Sequence, residues 1–246
     1  MKLSVDGLVI WEVKTGETDR VITVLTPEGV ISVYARGSRN PKNKLTSPTS
    51  MLSYSNFELY TGKNMYTAVD AMVKERFISL FSDISKYSLA VYFCELIKYL
   101  APVEDDASEY LSLLLNTLHI LNTTDKDILL VKAVFELRIM SISGYMPDLS
   151  SCCECGLETD STLFFDMPNG VWYCNDCAKK KGYPVNANRA VLNAMRYITE
   201  SDPLRIFSFE LKKETLKTLG NLTAGFSIIH LDKQLATLDF LSKILD

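Results

Sequence analysis

Four of the six cysteines form two Cys-x-x-Cys pairs, Cys152 with Cys155 and Cys174 with Cys177, with eighteen residues between the pairs. Four thiolates at this spacing can close a tetrahedron around a zinc ion, as they do in zinc ribbons. Gly156 suits the tight turn that follows such a pair. Because a closed set of four sulfurs leaves no position for water, we predict one structural Zn²⁺ rather than a catalytic metal.

Two alternatives stay open for this cysteine set. The four could be buried free thiols, and Cys153 could replace Cys152 as a ligand, although a Cys-x-Cys spacing is less usual. Between the pairs, the segments LFFD and VWYC flank Pro168-Asn169-Gly170 and predict a β-hairpin. We therefore expect residues 148–183 to form a zinc-ribbon-like insertion that has little apolar core of its own and unfolds first when the metal is lost.

A basic segment is the second candidate site, because no acidic residue lies between Glu28 and Glu58. Positive charges attract phosphates and aromatic faces stack on unpaired bases, so the combination favours single-stranded nucleic acid. The alternatives are a solvated loop with routine charges and tyrosines that belong to the core. The candidate nucleic-acid-binding residues are Arg20, Tyr34, Arg36, Arg39, Lys42, Lys44, Tyr54, Lys74 and Arg76.

The overall charge is acidic, but its distribution is uneven. The net charge is −4 and the pI is about 5.4, which argues against a protein that binds nucleic acid over its whole surface. Residues 1–80 hold ten Lys and Arg against eight Asp and Glu, a net of +2, whereas residues 81–246 hold sixteen against twenty-two, a net of −6. A local basic face therefore remains compatible with the acidic total.

Composition and motifs exclude several classes of protein. With 47% hydrophobic and 23% charged residues, the chain has the composition of a globular protein, and no apolar run is long enough to span a bilayer. Asp6 and Glu12 interrupt the N-terminal apolar stretch, so we expect no secretory signal and a cytoplasmic location. With no phosphate-binding loop, no nucleophile elbow and only His119 and His230, the chain is not expected to be an enzyme.

The elements that must position these residues change type near residue 77. Period-2 patterns bounded by Gly, Pro and Asn predict five strands, and five short strands in about 75 residues favour an OB-fold barrel. The link from Gly37 to Met51 is too long for a hairpin, and we expect a mobile, exposed loop. The predicted strands lie near residues 3–13, 20–26, 30–36, 56–60 and 66–74.

Helical periodicity dominates the remainder of the chain. The fold class predicted is thus α+β and multidomain, with an OB-fold at residues 1–80 and an all-helical domain at 81–246 that carries the Cys₄ insertion. Asp125 is the expected N-cap of the third helix, and Gly144 its stop. The predicted helices cover residues 83–100, 108–121, 125–142, 188–201, 210–224 and 231–245.

The order of these parts, together with several short sequences, resembles the RecO family of bacterial recombination mediators. The segments that carry the resemblance are Glu17-Thr18-Asp19, VYARGSR at 33–39, YSNFELYTGKNMYTAVDA at 54–71, and GYMPDL at 144–149 directly before CCECG at 152–156. The resemblance covers nearly the whole chain. The family's basic loop is often richer in Lys and Arg than this one.

The resemblance implies a non-enzymatic role in DNA repair and recombination. Members bind single- and double-stranded DNA, anneal complementary strands and, with the partner RecR, load RecA onto DNA coated by single-stranded-DNA-binding protein. In some members the helical domain also binds the tail of that coating protein, and Lys132 and Arg138 are candidates here by helical position alone. The main alternative is a zinc-ribbon adaptor in transcription that binds RNA or polymerase. An enzyme that uses the barrel as a substrate platform is a third reading, disfavoured by the lack of clustered carboxylates.

Overall fold

A computed structural model describes residues 2–63, 65–233 and 235–245, which fold into two compact units. The first unit comprises Met1–Thr124 and Leu235–Asp246, and the second comprises Asp125–Gln234. The change from strands to helices near residue 77 therefore lies inside the first unit, which contains both the barrel and several helices. Among the described residues, no helix is long and apolar enough to cross a membrane.

Five strands of the first unit close into a barrel in the order β1-β2-β3-β5-β4. They are β1 (Lys2–Thr15), β2 (Asp19–Thr26), β3 (Gly29–Ala35), β4 (Ser53–Thr61) and β5 (Tyr66–Arg76). Neighbouring strands run antiparallel except β3 and β5, which pair in parallel. This five-stranded closed arrangement confirms the predicted OB-like fold.

The barrel core follows from the alternation of side chains along the strands. Val5, Val9, Ile22, Val24 and Phe57 face inward and are buried, because successive residues of a strand point to opposite faces. β1 is long enough to pair with β4 through its first half and with β2 through its second half. A register shift between residues 9 and 11 of β1 bends the strand where it passes from one neighbour to the other.

The link from Gly37 to Met51 differs from the exposed loop expected from the sequence. It is a series of hydrogen-bonded turns, and Leu45 is only 4% exposed and belongs to the barrel core. Pro48 and Thr49 are buried as well, and the Pro48 carbonyl accepts a hydrogen bond from the hydroxyl of Ser55 in β4 at 3.1 Å. The side chain of Leu45 thus anchors the mostly polar 37–51 segment in the core of the barrel.

Replacing Leu45 by alanine should destabilise the protein by about 2–5 kcal/mol, the usual cost of emptying a leucine site in a packed core. Urea denaturation of both proteins measures this difference in the free energy of unfolding. Lys42→Ala, an exposed change three residues away, serves as the control and should stay within about ±0.5 kcal/mol. Equal midpoints for the two variants would contradict the anchoring role of Leu45.

Within the described residues, seven α-helices follow the barrel strands, and a short 3₁₀-helix (Ile78–Ser82) leads into the first of them. The helices are α1 (Ile84–Leu100), α2 (Ser108–Thr123), α3 (Ile128–Ile142), α4 (Asn175–Lys181), α5 (Arg189–Glu200), α6 (Lys213–Leu231) and α7 (Ala236–Leu245). α1, α2 and α7 belong to the first unit. Asp83 caps α1, since its carboxylate accepts hydrogen bonds from the backbone N–H groups of Ser85 and Lys86 at 2.9 and 3.1 Å.

α7 returns the end of the chain to the first unit. Leu235 and Leu241 are buried there, and the nearly buried carboxylate of Glu95 in α1 accepts hydrogen bonds from both the backbone N–H (3.1 Å) and the hydroxyl of Thr237. A carboxylate beside unpaired N–H groups at a helix start is a favourable arrangement. The sequence predicted this last helix from residue 231, whereas the structure ends α6 at Leu231 and begins α7 at Ala236.

α3 is the central helix of the second unit, and ten of its fifteen residues are buried. Its N-cap is Asp127, which accepts a hydrogen bond from the N–H of Leu129 at 2.8 Å, rather than Asp125 as expected. α3 packs against α5 and α6. Within this apolar surrounding lies an ion pair of 2.6 Å between Lys132 Nζ and Glu136 Oε1, and Thr223 of α6 donates to the other carboxylate oxygen at 3.0 Å.

Candidate metal centre and nucleic-acid surface

The Cys₄ segment is built from a hairpin and a short helix of the second unit. The hairpin strands are β6 (Thr162–Asp166) and β7 (Val171–Cys174), and β8 (Ala187–Asn188) adds to the free edge of β6. Cys152 and Cys155 lie on the turn before β6, whereas Cys174 ends β7 and is the N-cap of α4, which carries Cys177. The hairpin thus has the form expected from the LFFD and VWYC segments.

The structure brings the four predicted ligands together, with their sulfur atoms all within 4.8 Å of one another. Cys155 Sγ and Cys174 Sγ are 3.7 Å apart, too far for a disulfide, whose S–S bond is about 2.0 Å. Four sulfurs each about 2.3 Å from a tetrahedral zinc would stand about 3.8 Å from one another. The donor set and its spacing therefore fit a tetrahedral metal ion of zinc's size.

The pKa shifts of two of the four thiols, those of Cys152 and Cys177, are also consistent with a cation site. Burial acts to raise the pKa of Cys152, but hydrogen bonds from the backbone N–H groups of Cys174, Cys155 and Glu154 favour the thiolate and lower the pKa to about 7. The neighbouring sulfurs do the opposite to Cys177: the Cys174 thiol, together with burial, raises its pKa. Four thiolates this close repel one another, so full ionisation requires a cation among them.

Cys153 lies outside this cluster. Its side chain is exposed and hydrogen-bonded to the hydroxyl of Tyr173, an interaction that raises the pKa of Tyr173 to about 12. Its backbone N–H donates to the carbonyl of Trp172 at 3.0 Å, which joins the first Cys-x-x-Cys turn to the hairpin. Arg196 of α5 holds the same turn from the other side, with hydrogen bonds to the carbonyls of residues 149, 150 and 158.

The Cys₄ segment has more apolar packing than its sequence indicated. Leu163, Phe165 and Trp172 form the inner face of the hairpin, and each is at most 1% exposed. The ring of Phe165 lies 6.0 Å from that of Phe226 in α6. The hairpin is therefore held by a hydrophobic interface within its unit, whereas the turn that carries Cys152 and Cys155 is held by hydrogen bonds and lies against the other two cysteines of the cluster.

Several candidate nucleic-acid-binding residues lie around the 37–51 segment, and two of them, Arg20 and Tyr34, are partly buried and hydrogen-bonded within the protein. Arg20 is turned inward, with 14% of its side chain exposed and hydrogen bonds to the carbonyl of Thr46 (3.4 Å) and the hydroxyl of Ser50 (3.2 Å). The hydroxyl of Tyr34 donates to Asp19, and this bond, with a second from the N–H of residue 37, lowers the pKa of that carboxyl. Both side chains therefore position the segment.

The four basic residues of the segment differ in their availability. Arg36 and Lys42 are exposed, and the part of the chain that the structure describes offers neither of their side chains a hydrogen bond or an ion pair. Arg39 Nη1 donates to the carbonyl of Glu17 at 3.0 Å, and Lys44 pairs with Asp70 of β5 at 3.0 Å, both on the exposed surface. Exposed pairs of this kind contribute little to stability, so phosphates can compete for these charges.

The remaining candidates lie where β4 begins and β5 ends. Arg76 is exposed opposite Ser53. Lys74 Nζ lies 5.2 Å from the centre of the Tyr54 ring and 2.7 Å from a carboxylate oxygen of Asp6. The hydrogen bond from Lys74 holds the pKa of Asp6 below its usual value. Tyr54 is half-buried, so it combines a packed edge with an accessible one.

Lys132 and Arg138, the basic residues considered for partner binding, make contacts within the protein. Lys132 is 7% exposed and pairs with Glu136, and Arg138 donates to the carbonyl of Thr199 at 2.6 Å and to that of Ile198. Neither basic group is presented to a partner as its helical position had suggested. His230 packs its ring against Phe226 at 4.3 Å, and His119 stands exposed on α2.

The outer face of the hairpin carries residues that the sequence analysis did not select. Phe164, Tyr173 and Tyr183 place their rings together there, beside the lysines at the end of α4. The available signal was that Phe164 and Tyr173 occupy the outward positions of alternating strands, where polar residues are usual, and that the run KKKGY follows the last cysteine pair.

Comparison with known proteins finds two family models that together span most of this chain. The family models Recombination protein O N terminal and Recombination protein O C terminal match residues 1–77 and 81–239. A DNA repair protein RecO from Acetivibrio thermocellus is 34% identical over 243 residues, covering 98% of this chain and 97% of the relative. Proteins of the same name from Dehalococcoides mccartyi (31% identical; 87% of this chain, 84% of the relative) and Alkaliphilus metalliredigens (27%; 95% of each) also match. The chain therefore belongs to the RecO family of DNA repair proteins.

Proposed function

We propose that this protein is a recombination mediator that binds single- and double-stranded DNA and anneals complementary strands without chemical turnover of its own. With RecR as its partner, it helps to load RecA onto DNA coated by single-stranded-DNA-binding protein, in the cytoplasm and at the nucleoid. The observation that carries the proposal is a closed OB-like barrel bordered by an acid-free segment with Arg36 and Lys42 exposed. A cationic surface beside a barrel of this class suits a phosphate backbone.

The metal in this proposal is one Zn²⁺ held by Cys152, Cys155, Cys174 and Cys177. When bound, it supplies a structural cross-link between two parts of the chain that are about twenty residues apart. The chain's own residues complete the site, because backbone N–H groups stabilise the Cys152 thiolate and Arg196 fixes the carbonyls around the first pair. The barrel and its basic segment form the DNA-binding part in this proposal, and residues 81–246 the helical part.

Annealing of complementary oligonucleotides in the absence of nucleotide and Mg²⁺ tests the function directly. A mediator accelerates annealing under these conditions, because charge neutralisation and base access suffice. Failure to anneal, combined with no shift of either single- or double-stranded DNA at low salt, would contradict the proposal. Binding of RNA or polymerase without annealing would instead support an adaptor in transcription.

The basic segment should set the salt dependence of DNA binding. Replacing Arg36, Arg39, Lys42 and Lys44 by alanine is expected to flatten the slope of log affinity against log salt by about 3, since each phosphate neutralised on a single strand contributes about 0.7. Fluorescence anisotropy of a labelled oligonucleotide at several salt concentrations measures the slope. A thermal melt should change little, because exposed charges typically alter stability by about ±0.5 kcal/mol.

The matched control keeps all four charges by exchanging Arg for Lys and Lys for Arg at the same positions, and it should preserve the slope. An unchanged slope in the alanine variant, with an unchanged melt, would place the DNA site elsewhere on the protein. Tyr54→Ala separates stacking from charge. If the Tyr54 ring stacks on a base, its loss should weaken DNA binding by roughly 1–3 kcal/mol and leave the salt slope nearly unchanged.

A further inference from the structure

The outer face of the β6–β7 hairpin is aromatic although it points away from the core of its unit. Phe164 and Tyr173 are opposite one another in the strand register, with ring centres 6.3 Å apart. Tyr183 completes the group, 4.8 Å from Phe164 and 5.3 Å from Tyr173 between ring centres. All three rings remain partly accessible, and Tyr183 is 37% exposed.

The backbone after α4 is shaped to bring Tyr183 into this group. Gly182 ends the helix in the left-handed conformation with φ of 74°, and its N–H donates to the carbonyl of Lys179 at 3.1 Å. The N–H of Tyr183 then donates to the carbonyl of Ala178 at 2.9 Å, which turns the chain back over the hairpin. A side chain at position 182 would strain this turn and move the third ring.

Positive charge borders the three rings on one side. Lys179, Lys180 and Lys181 occupy the last turn of α4, and Lys181 Nζ lies 5.5 Å from the centre of the Tyr173 ring. Lys181 also pairs with Glu154 at 3.0 Å. Lysines at a helix C-terminus are favourable in any protein, so the lysines alone indicate no ligand, but lysines beside an accessible aromatic face have the composition that binds single strands.

We propose that Phe164, Tyr173 and Tyr183, with Lys179 and Lys180, form a second contact surface for single-stranded DNA on the Cys₄ segment. The rings stack on unpaired bases, and the two lysines neutralise phosphates on the side where α4 ends. This inference rests on the proposed function, since it assigns a further part of the same DNA-binding activity. It gives the Cys₄ segment a role beyond structure: the metal holds α4, and α4 holds Tyr183 and the lysines in register with the hairpin.

Two variants of the full chain, each with a matched control variant, test the surface. Tyr183→Ala is expected to weaken binding of an oligothymidylate about tenfold with an unchanged salt slope, because base stacking on one ring has about this value. Tyr183→Phe keeps the ring and should bind like the parent protein. Lys179→Ala with Lys180→Ala should flatten the salt slope by about 1.4, and Lys212→Ala with Lys213→Ala, which removes the same charge from the exposed start of α6, should leave the slope unchanged.

Photo-crosslinking supplies a readout that does not depend on affinity. An oligonucleotide containing 5-iodouracil should crosslink to Tyr173 or Tyr183, as identified by peptide mapping, with the metal content of each variant measured in parallel. Parent protein that binds and anneals DNA while Tyr183→Ala retains full affinity and no crosslink maps to residues 162–183 would overturn this surface and leave the proposed function intact. Parent protein that binds no DNA at all would overturn both.

Discussion

Replacing Cys152 by serine is expected to reduce the metal content from one ion per chain to nearly none. Cys152 is 1% exposed, and its sulfur accepts a hydrogen bond from the backbone N–H of Cys174 at 3.2 Å. This bond links the first cysteine pair to the second. Structural zinc sites of four thiolates contribute about 10–16 kcal/mol in apparent binding free energy. Elemental analysis after dialysis against a mild chelator measures the loss.

Cys153→Ser is the matched control and should retain the metal, because its side chain is exposed and bonded to Tyr173 instead of the cluster. If Cys153→Ser lost the metal and Cys152→Ser kept it, the ligand assignment would be wrong. If the parent protein contained almost no metal while fully folded and with freely titrating thiols, the site itself would be wrong.

Hydrogen exchange after metal removal should show where the segment opens first. The turn at residues 150–160 and the helix α4 should lose protection from exchange. In the proposed site they are held mainly by thiolate bonds to the metal and by a few hydrogen bonds. The strands β6 and β7 should stay more protected, because Trp172 and Phe165 are buried and Phe165 packs against Phe226. Uniform exchange over residues 148–183 would instead support the sequence-based expectation of a segment without its own core.

Lys132→Ala should lower the free energy of unfolding by about 3–5 kcal/mol, the usual cost of removing one member of a buried ion pair. Glu136 is 0% exposed and Lys132 is 7% exposed, so in the parent protein this pair is shielded from bulk solvent. Thr223 bonds the other carboxylate oxygen and cannot neutralise it. Denaturant unfolding followed by tryptophan fluorescence, to which the buried Trp172 of the second unit contributes, measures this change.

The control is the double replacement Lys132→Met with Glu136→Gln, which removes both charges and keeps similar volumes. It should be clearly more stable than Lys132→Ala alone, because replacing both members of a buried pair avoids an isolated charge. A cost below about 1 kcal/mol for Lys132→Ala would mean that Glu136 is solvated or protonated in the folded protein, and the interpretation of a desolvated pair would fail.

Local patterns in the sequence predicted most of the elements. Alternation along residues 3–13 and 20–26 gives strands because one face of each must be buried, and the structure has β1 and β2 there. Helical apolar spacing over residues 83–100 likewise predicts a helix, and the structure has α1 at Ile84–Leu100. The spacing of the cysteine pairs identified the four sulfurs that the structure places together, since only two residues separate the ligands within each pair.

Features that depend on distant contacts were not visible in the sequence. A single leucine at position 45 gives no periodic signal, and only the closed barrel reveals the space that it fills. Arg20 has the charge of a phosphate-binding residue, but its guanidinium donates hydrogen bonds to Thr46 and Ser50 in the turns of the 37–51 segment. Asp125 and Asp127 are equally suitable caps by type, and the tertiary position of α3 selects the second.

The return of α7 to the first unit sets the order in which the protein is completed during synthesis. Residues 235–245 are synthesised after the whole of residues 125–234, so the N–H and hydroxyl of Thr237, which donate hydrogen bonds to Glu95, are absent while the second unit is being made. At bacterial translation speeds of roughly 5–20 residues per second, that interval lasts about 5–20 s. During this interval Glu95 of the first unit lacks the hydrogen bonds that α7 supplies. The second unit can therefore finish folding before the first.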